Sequence, residues 1–181
     1  MWVWRIIPRV NLQANDFELF DLKQKFSQDR AAIDTRWKEL QREAHPDKFA
    51  AQGTAAQRVA MQWSVRINEA YQRLKDPLKR AAYLCELNGA AVNAENSTAM
   101  PASFLMQQIE WREALEEAKT VENVHQIALK SNEYGREQLL KIEHSIDVEH
   151  SFERAVGHVR SLMFVERFTA ELEARVDQLQ Q

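Results

Sequence analysis

The dipeptide His45-Pro46 sets the end of a helix within the stretch WKELQREAHPDKF, residues 37–49. A residue before proline is disfavoured in the α conformation, and proline has no backbone N–H for the preceding turn. The helix entering this stretch is therefore predicted to end at or just before His45. Asp47 is expected to turn its carboxylate back onto backbone N–H groups of the loop. The result is a polar His-Pro-Asp turn at a helix C-terminus.

The composition around this turn favours a chain built of helices. Only four Gly and four Pro interrupt the 181 residues, and residues with high helix propensity dominate the rest. The net charge of −3 provides no general attraction to nucleic acid or acidic lipid, so electrostatic recognition must come from local patches. A single cysteine, Cys85, excludes an internal disulfide. It lies in the apolar run AAYLCEL and is expected in the core.

Apolar periodicity predicts an all-α protein of two domains. Residues 1–15 are interpreted as an extension outside the fold, 16–87 as a domain built on an antiparallel helix pair, 88–100 as a linker and 101–181 as a three-helix bundle. Helix caps are predicted at Asn15 or Asp16, at Thr54 with Gln57 as a capping box, at Thr120 and at Asp147, with Pro101 at a first helical position.

The helix over residues 29–44 carries one apolar stripe and one basic surface. Its stripe repeats at spacings of four, three and four, through Ile33, Trp37, Leu40 and Ala44. The basic side chains that lead towards the turn are Lys38, Arg42 and Lys48, with Arg36 on a neighbouring part of the surface. Two interpretations stay open, because such residues form either an ordinary solvated face or a docking surface beside the turn.

The helix FLMQQIEWREALEEA has two apolar stripes. One has the spacing of a core face and comprises Phe104, Gln108, Trp111, Leu115 and Ala118. The other begins at Leu105, Met106 and Ile109 and continues into Glu110, Glu113 and Glu117. An apolar centre with an acidic rim is typical of a protein-binding face. The alternative is a wider core face covered by the other two helices.

Sequence patterns for catalysis or cofactor binding are missing. The histidines after residue 100 do not show the His-x-x-x-His spacing that places two imidazoles on one helix face. There is no glycine-rich phosphate loop and no nucleophile with a suitably spaced base. We therefore expect no enzymatic activity, no cofactor and no metal site.

The order of these motifs resembles the J domain of DnaJ-type co-chaperones. The segments that carry the resemblance are FELFDL, the basic helix ending in HPDKF, and INEAYQRLKDPLKRAAYL. Segments further along the chain make the resemblance more specific. They are similar to the HscB family, the J-type co-chaperones of iron–sulfur cluster assembly, and read AAYLCELNG, FLMQQIEWREALEE and SLMFVERF. The resemblance extends from Phe17 to the end of the chain.

The resemblance implies a J domain over 16–87, a scaffold-binding bundle over 101–181 and two partners. One is HscA, a DnaK-type chaperone whose ATP hydrolysis the J domain stimulates, and the other is the iron–sulfur scaffold protein IscU. The residues implied in contact with the chaperone are Arg36, Lys38, Arg42, His45, Pro46, Asp47 and Lys48. The residues implied in contact with the scaffold are Leu105, Met106, Ile109, Glu110, Glu113, Glu117 and Phe164.

The chain departs from the family pattern at two places. Ala44 precedes the turn where many J domains have tyrosine, so packing under the turn is expected to be lost or supplied by Trp37. The N-terminal cysteine pairs of eukaryotic relatives are absent, which favours the bacterial type and a cytoplasmic location. We also expect a monomer that binds neither nucleic acid nor membrane. Three rivals are a co-chaperone of a general DnaK-type chaperone, a helical adaptor whose HPD only stops a helix, and a weakly favoured nucleic-acid-binding domain.

Overall fold

The computed structural model describes residues 14–92 and 100–180. Every regular element in these ranges is helical, which confirms the all-α prediction. The α-helices are α1 Asp16–Leu19, α2 Arg30–Glu43, α3 Thr54–Lys75, α4 Pro77–Leu87, α5 Ala102–Glu117, α6 Val121–Glu143 and α7 Phe152–Leu179. A 3-10 helix, Pro46–Gln52, joins α2 to α3, and a π-helical turn, His144–Val148, follows α6. No helix in the described ranges is long and apolar enough to cross a membrane.

The chain divides into two compact units between Arg80 and Ala81, inside α4. This is earlier than the linker predicted over 88–100, of which residues 93–99 lie outside the described ranges. The reason is that Ala81, Leu84 and Cys85 are buried apolar residues, and the Cys85 thiol lies 3.8 Å from the carbonyl oxygen of Phe152 in the second unit. Of the predicted N-terminal extension, residues 1–13 also lie outside the described ranges.

Helices α2 and α3 run antiparallel, as predicted. At one end of the pair, Arg30 Nη1 donates to the carbonyl oxygen of Lys75 at 3.1 Å. At the other end, Gln41 Nε2 donates to the carbonyl oxygen of Ser64 at 3.2 Å. Residues late in α2 therefore meet residues early in α3, and the turn between them lies at one end of the pair.

A buried carboxylate holds α1 against α3. Asp16 is fully buried, and its two oxygens lie 2.5 Å from Arg66 Nη2 and 2.6 Å from Arg73 Nη1. The helix begins with a capping box in which Asn15 Oδ1 accepts the Glu18 N–H at 3.0 Å, which confirms the predicted cap. A buried charge needs such partners, because an unpaired one loses its hydration without compensation.

Helix α3 does not begin with the predicted capping box. Its N-cap is Gly53, with φ of 94° and no side-chain cap hydrogen bond, and Thr54 is already the first helical residue. Glycine occupies this position because it has no Cβ and adopts positive φ at little cost. The stretch before it, predicted as an irregular loop, is the 3-10 helix Pro46–Gln52.

The caps of the C-terminal helices follow the sequence only in part. Thr120 caps α6 as predicted, and its side chain accepts the Asn123 N–H. Pro101 is the N-cap of α5 and not its first helical residue. Asp147 does not cap α7, because the π-helical turn carries the α6 backbone through Val148 and α7 begins only at Phe152.

The core of the second unit is aromatic where α5 meets α6 and α7. The Phe104 ring stacks on Tyr134 at 5.4 Å and meets Phe164 edge-on at 5.7 Å. Trp111 stacks on Phe168 at 5.9 Å. These contacts fix which side of α5 faces inwards and confirm the core stripe predicted for that helix.

The buried carboxylate of α1 predicts a local stability effect. Asp16→Asn should lower the free energy of opening in the first unit by about 3 kcal/mol, because it removes the charge that compensates two arginines. Hydrogen exchange of the α3 amides measures this opening. Asp21→Asn, which removes an exposed carboxylate nearby, should change it by less than about 0.5 kcal/mol. Equal effects of the two substitutions would contradict the structural role of Asp16.

Candidate partner-binding surfaces

The HPD turn begins where α2 ends. The Ala44 N–H donates to the carbonyl oxygen of Leu40 at 2.9 Å and closes the last turn of the helix. His45 then adopts an extended backbone, with φ of −64° and ψ of 126°, as expected of a residue before proline. Pro46 opens the 3-10 helix, where its missing N–H costs no hydrogen bond. The predicted helix end is confirmed.

Inside the turn, the imidazole and not the carboxylate accepts the backbone hydrogen bond. The Asp47 N–H donates to His45 Nδ1 at 3.3 Å, and the Lys48 N–H donates to the His45 carbonyl oxygen at 3.0 Å. The Asp47 side chain is 89% exposed. The expectation that this carboxylate folds onto backbone N–H groups is therefore corrected, and its oxygens face solvent.

The turn rests on Ala44 and Phe49, both of which are buried. The Ser64 hydroxyl donates to the Ala44 carbonyl oxygen at 3.2 Å and ties the end of α2 to α3. Trp37 does not supply packing under the turn, since its ring stacks on Tyr71 at 4.6 Å further along the helix pair. The small residue before HPD is thus accommodated by a hydrogen bond and by Phe49.

The predicted cations around the turn differ in availability. Lys38, Arg42 and Lys48 are exposed. Arg36 is partly buried and its Nη1 lies 3.2 Å from Glu39 Oε2, so its charge is already balanced on α2. We call the turn with the three exposed cations the HPD surface, comprising Lys38, Arg42, His45, Pro46, Asp47 and Lys48.

The two interpretations of α5 are resolved by burial. Leu105, Met106 and Ile109 are 45%, 57% and 49% exposed, so they do not belong to the core. The three glutamates on the same side of the helix are also exposed. We call this group the α5 face, comprising Leu105, Met106, Ile109, Glu110, Glu113 and Glu117. It is an apolar patch with an acidic border, open to solvent.

Phe164 is the exception among the residues predicted to contact the scaffold. Only 7% of it is exposed, because its ring packs against Phe104 and Trp111 beneath α5. The sequence contained the signal, since Phe164 and Phe168 are spaced four apart on the buried side of α7. Phe164 therefore supports the α5 face from below and offers little surface to a partner.

Sequence reasoning missed a basic groove in the second unit. The groove has a volume of about 520 Å³ and is lined by Arg112, Arg160 and Arg167, with Phe164 at its border. Arg112 stands over the Phe164 ring at 5.5 Å. Arg160 and Arg167 lie seven residues apart on α7, but Arg112 comes from α5, so no spacing within one helix indicates the whole set.

Comparison with known proteins assigns the chain to a family. Residues 100–173 match the family model described as HSCB C-terminal oligomerisation domain. A "Co-chaperone protein HscB homolog" from Burkholderia thailandensis is 47% identical over 174 residues, covering 94% of this chain and 99% of that protein. The chain belongs to the HscB co-chaperone family. A homologue with the same description from Paraburkholderia xenovorans is 43% identical over 172 residues and covers the same share of this HscB-family chain.

Solved structures agree with this assignment to the HscB family. The chaperone HscB from Vibrio cholerae superposes with a TM-score of 0.76 at 32% identity, covering 92% of this chain and 99% of that one. The human co-chaperone protein HscB superposes with a TM-score of 0.84 at 23% identity, covering 92% and 84% of the two chains, and supports the fold. A J-like N-terminal domain followed by a helical C-terminal domain is therefore the fold of this HscB-family protein.

Other reactive groups of this HscB-family chain are built into the core or dispersed. Burial, with smaller effects from Glu86 and Glu153, raises the pKa of the Cys85 thiol to about 12. A thiol with this pKa is protonated near neutral pH and is a poor nucleophile. Within the described ranges, no group of three or more His, Cys, Asp or Glu side chains is arranged to hold a metal ion.

The contrast between the α5 face and Phe164 predicts separate effects on stability. Leu105→Ala and Ile109→Ala should each change the free energy of opening in the second unit by less than about 0.5 kcal/mol, because both side chains are exposed. Phe164→Ala should lower it by about 3–5 kcal/mol, because it leaves a cavity among aromatic rings. Hydrogen exchange of the α7 amides measures all three. A Phe164→Ala protein as stable as the other two would contradict this assignment.

Proposed function

We propose that this chain brings IscU to HscA and stimulates ATP hydrolysis by HscA during iron–sulfur cluster assembly. One observation carries the proposal: the two compact units expose surfaces of distinct character, the HPD surface on the first and the α5 face on the second. Membership of the HscB co-chaperone family supports it. The chain acts through contacts and needs no reaction chemistry of its own.

The HPD surface is suited to an acidic partner that also holds a buried or half-buried cation. Lys38, Arg42 and Lys48 raise the rate of encounter with an acidic surface of HscA. Once docked, the exposed Asp47 carboxylate accepts a charge-assisted hydrogen bond from an HscA cation. Steering and docking are thus assigned to different side chains.

Stimulation of hydrolysis requires more than binding. A ligand shifts a conformational equilibrium only by its difference in affinity between the two states. The HPD surface must therefore bind the hydrolysis-competent state of HscA more tightly than the resting state. Asp47 is the side chain best placed to make that difference, since its exposed carboxylate gains a partner only in a state that offers a cation.

The α5 face is suited to an apolar surface of IscU bordered by cations. Burial of Leu105, Met106 and Ile109 drives association, because apolar area removed from water contributes about 25 cal/mol per Å². The glutamates around them fix orientation and contribute less to affinity, since rim charges mainly affect the rate and register of docking. Phe164 and Trp111 keep the backbone of this helix in place.

Substitution of Asp47 should separate the two activities. Asp47→Asn should reduce stimulation of HscA ATPase at least about tenfold, because loss of one charge-assisted hydrogen bond is worth more than 1.4 kcal/mol. Steady-state ATPase assays with IscU present measure this, and calorimetry should find the affinity for IscU unchanged. Asp21→Asn, an exposed carboxylate on the same unit, should stimulate normally.

Substitution of the α5 face should give the reverse result. The double variant Leu105→Ala, Ile109→Ala should weaken IscU binding about 10- to 100-fold, as expected when two apolar contacts are truncated. Stimulation of HscA in the absence of IscU should be unchanged. The matched control is Leu129→Ala, Leu140→Ala, which truncates two leucines that are also exposed. If the Asp47 variant and the α5 double variant each lost both activities, the two-surface proposal would be wrong.

The same assays distinguish HscA from a general DnaK-type chaperone. If the chain serves HscA, it should stimulate the ATPase of HscA more strongly than that of DnaK. Addition of IscU should increase the stimulation of HscA and leave that of DnaK unchanged. Equal stimulation of both chaperones, without an effect of IscU, would favour the broader co-chaperone role.

A further inference from the structure

A cavity of about 460 Å³ lies in the second unit, between the first turn of α5, the C-terminal half of α6 and the N-terminal half of α7. The residues of its lining used below are Pro101, Ser103, Gln138, Lys141, Arg154 and His158. None of the residues of the HPD surface or the α5 face is among the lining residues. The cavity therefore needs an explanation separate from partner docking.

The first turn of α5 brings unsatisfied backbone donors to this cavity. Its N-cap is Pro101, and no side chain caps the helix. The N–H groups of Phe104 and Leu105 both donate to the Pro101 carbonyl oxygen, at 2.9 and 3.1 Å. The N–H groups of Ala102 and Ser103 have no hydrogen-bond partner among the described residues. A helix start with free N–H groups has a partial positive charge that favours an anion.

A buried amide adds a second, independent donor. Gln138 is only 2% exposed, and its Oε1 lies 2.8 Å from His158 Nδ1. With Oε1 accepting from the imidazole, the amide nitrogen of Gln138 is left without a hydrogen-bond partner in the described part of the chain. This nitrogen is not completely enclosed, and Gln138 lines the cavity, so the amide can donate to a molecule bound there.

Two cations make the cavity electropositive. Lys141 on α6 and Arg154 on α7 both line it, and Lys141 Nζ makes only a long, exposed ion pair, 3.9 Å from Glu137 Oε2. Arg154 uses Nη1 to bind Glu149 at 2.6 Å, which leaves the rest of its guanidinium fork to donate. Burial lowers the pKa of His158, Lys141 and Arg154 lower it further, and Glu149 opposes them with a smaller effect. The imidazole therefore lies in a net positive field, and α5 adds no titratable side chain to the lining.

We propose that this cavity binds a small free oxyanion of the phosphate, sulfate or carboxylate class. The volume is within the ordinary range for small-ligand sites, about 300–1,000 Å³. The donors are of three kinds: backbone N–H groups at a helix start, the Gln138 amide, and the Lys141 and Arg154 cations. Charge-assisted hydrogen bonds to oxyanions are the strong ones in proteins, and a guanidinium matches the planar spacing of two oxygens.

Gly157 allows the cavity to be filled without removing any of its charges. It lines the cavity on α7, and a Cβ added there would meet no atom within 4 Å. Because Gly157 is an interior residue of a helix, replacement by leucine also improves helix propensity. Gly157→Leu should therefore occupy the space for the anion while the helix is retained. The matched control is Ala170→Leu, at an exposed position of the same helix.

The test is titration of the full chain with inorganic sulfate, whose charge is constant over the range in which imidazole titrates. Nuclear magnetic resonance follows the Ala102 and Ser103 amides and the His158 ring at constant ionic strength. We expect saturable shifts and an upward shift in the pKa of His158, because a bound anion favours the imidazolium and the coupling is reciprocal. Gly157→Leu and Lys141→Gln should each weaken sulfate binding at least about tenfold, and Ala170→Leu should not.

Titrations with phosphate and with succinate identify which oxyanion is preferred. The proposal would be overturned by chemical-shift changes that grow linearly with sulfate concentration and do not saturate. It would also be overturned if chloride at the same ionic strength gave the same changes. A Gly157→Leu protein that binds sulfate as the natural chain does would have the same consequence. If the amide spectrum shows that Gly157→Leu does not fold, Lys141→Gln decides alone, because Lys141 is half exposed and not part of the core.

Discussion

The burial of two aromatic residues on α5 determines the exterior of the second unit. Phe104 and Trp111 lie seven residues apart, close to two helical turns, so both point to the same side. Their stacking on Tyr134 and Phe168 fixes the rotation of α5 about its axis, and each such pair contributes about 0.5–1.5 kcal/mol beyond its buried area. Once these rings are inside, the second apolar stripe of the helix can only face solvent.

In the first unit, hydrogen bonds and not aromatic stacking fix the position of the exposed residues. There the proposed site is a turn, and turns are held by hydrogen bonds more than by packing. Ser64 reaches from α3 to the last free carbonyl of α2, at Ala44, and Phe49 anchors the chain just after the turn. The exposed side chains of His45 and Asp47 are thus held in place from both sides, by the Ser64 hydrogen bond before the turn and by Phe49 after it.

The parts of this structure that are local in sequence could be predicted, and the rest could not. Pro46 ends a helix by its own geometry, and the α2 and α5 stripes follow from helical spacing. Pairing of Asp16 with Arg66 and Arg73 joins residues some fifty positions apart, and no pattern specifies it. The resemblance implies that Phe164 contacts the scaffold, but a resemblance does not tell whether a side chain is buried, and this one is. The exposed positions could therefore be predicted from the sequence, whereas the contacts that support them could not.

The hydrogen bond within the HPD turn also determines which polar groups the turn exposes. His45 Nδ1 lies 3.3 Å from the Asp47 backbone nitrogen and 3.6 Å from Asp47 Oδ2, so this ring nitrogen faces its own turn and Nε2 is the one left to face a partner. Pro46 between them has no N–H. The turn therefore presents the His45 Nε2 atom and one carboxylate acceptor, with no competing backbone donor at Pro46. A complementary surface must match an imidazole nitrogen and a carboxylate in this order, which makes the turn directional and distinguishes it from a simple acidic spot.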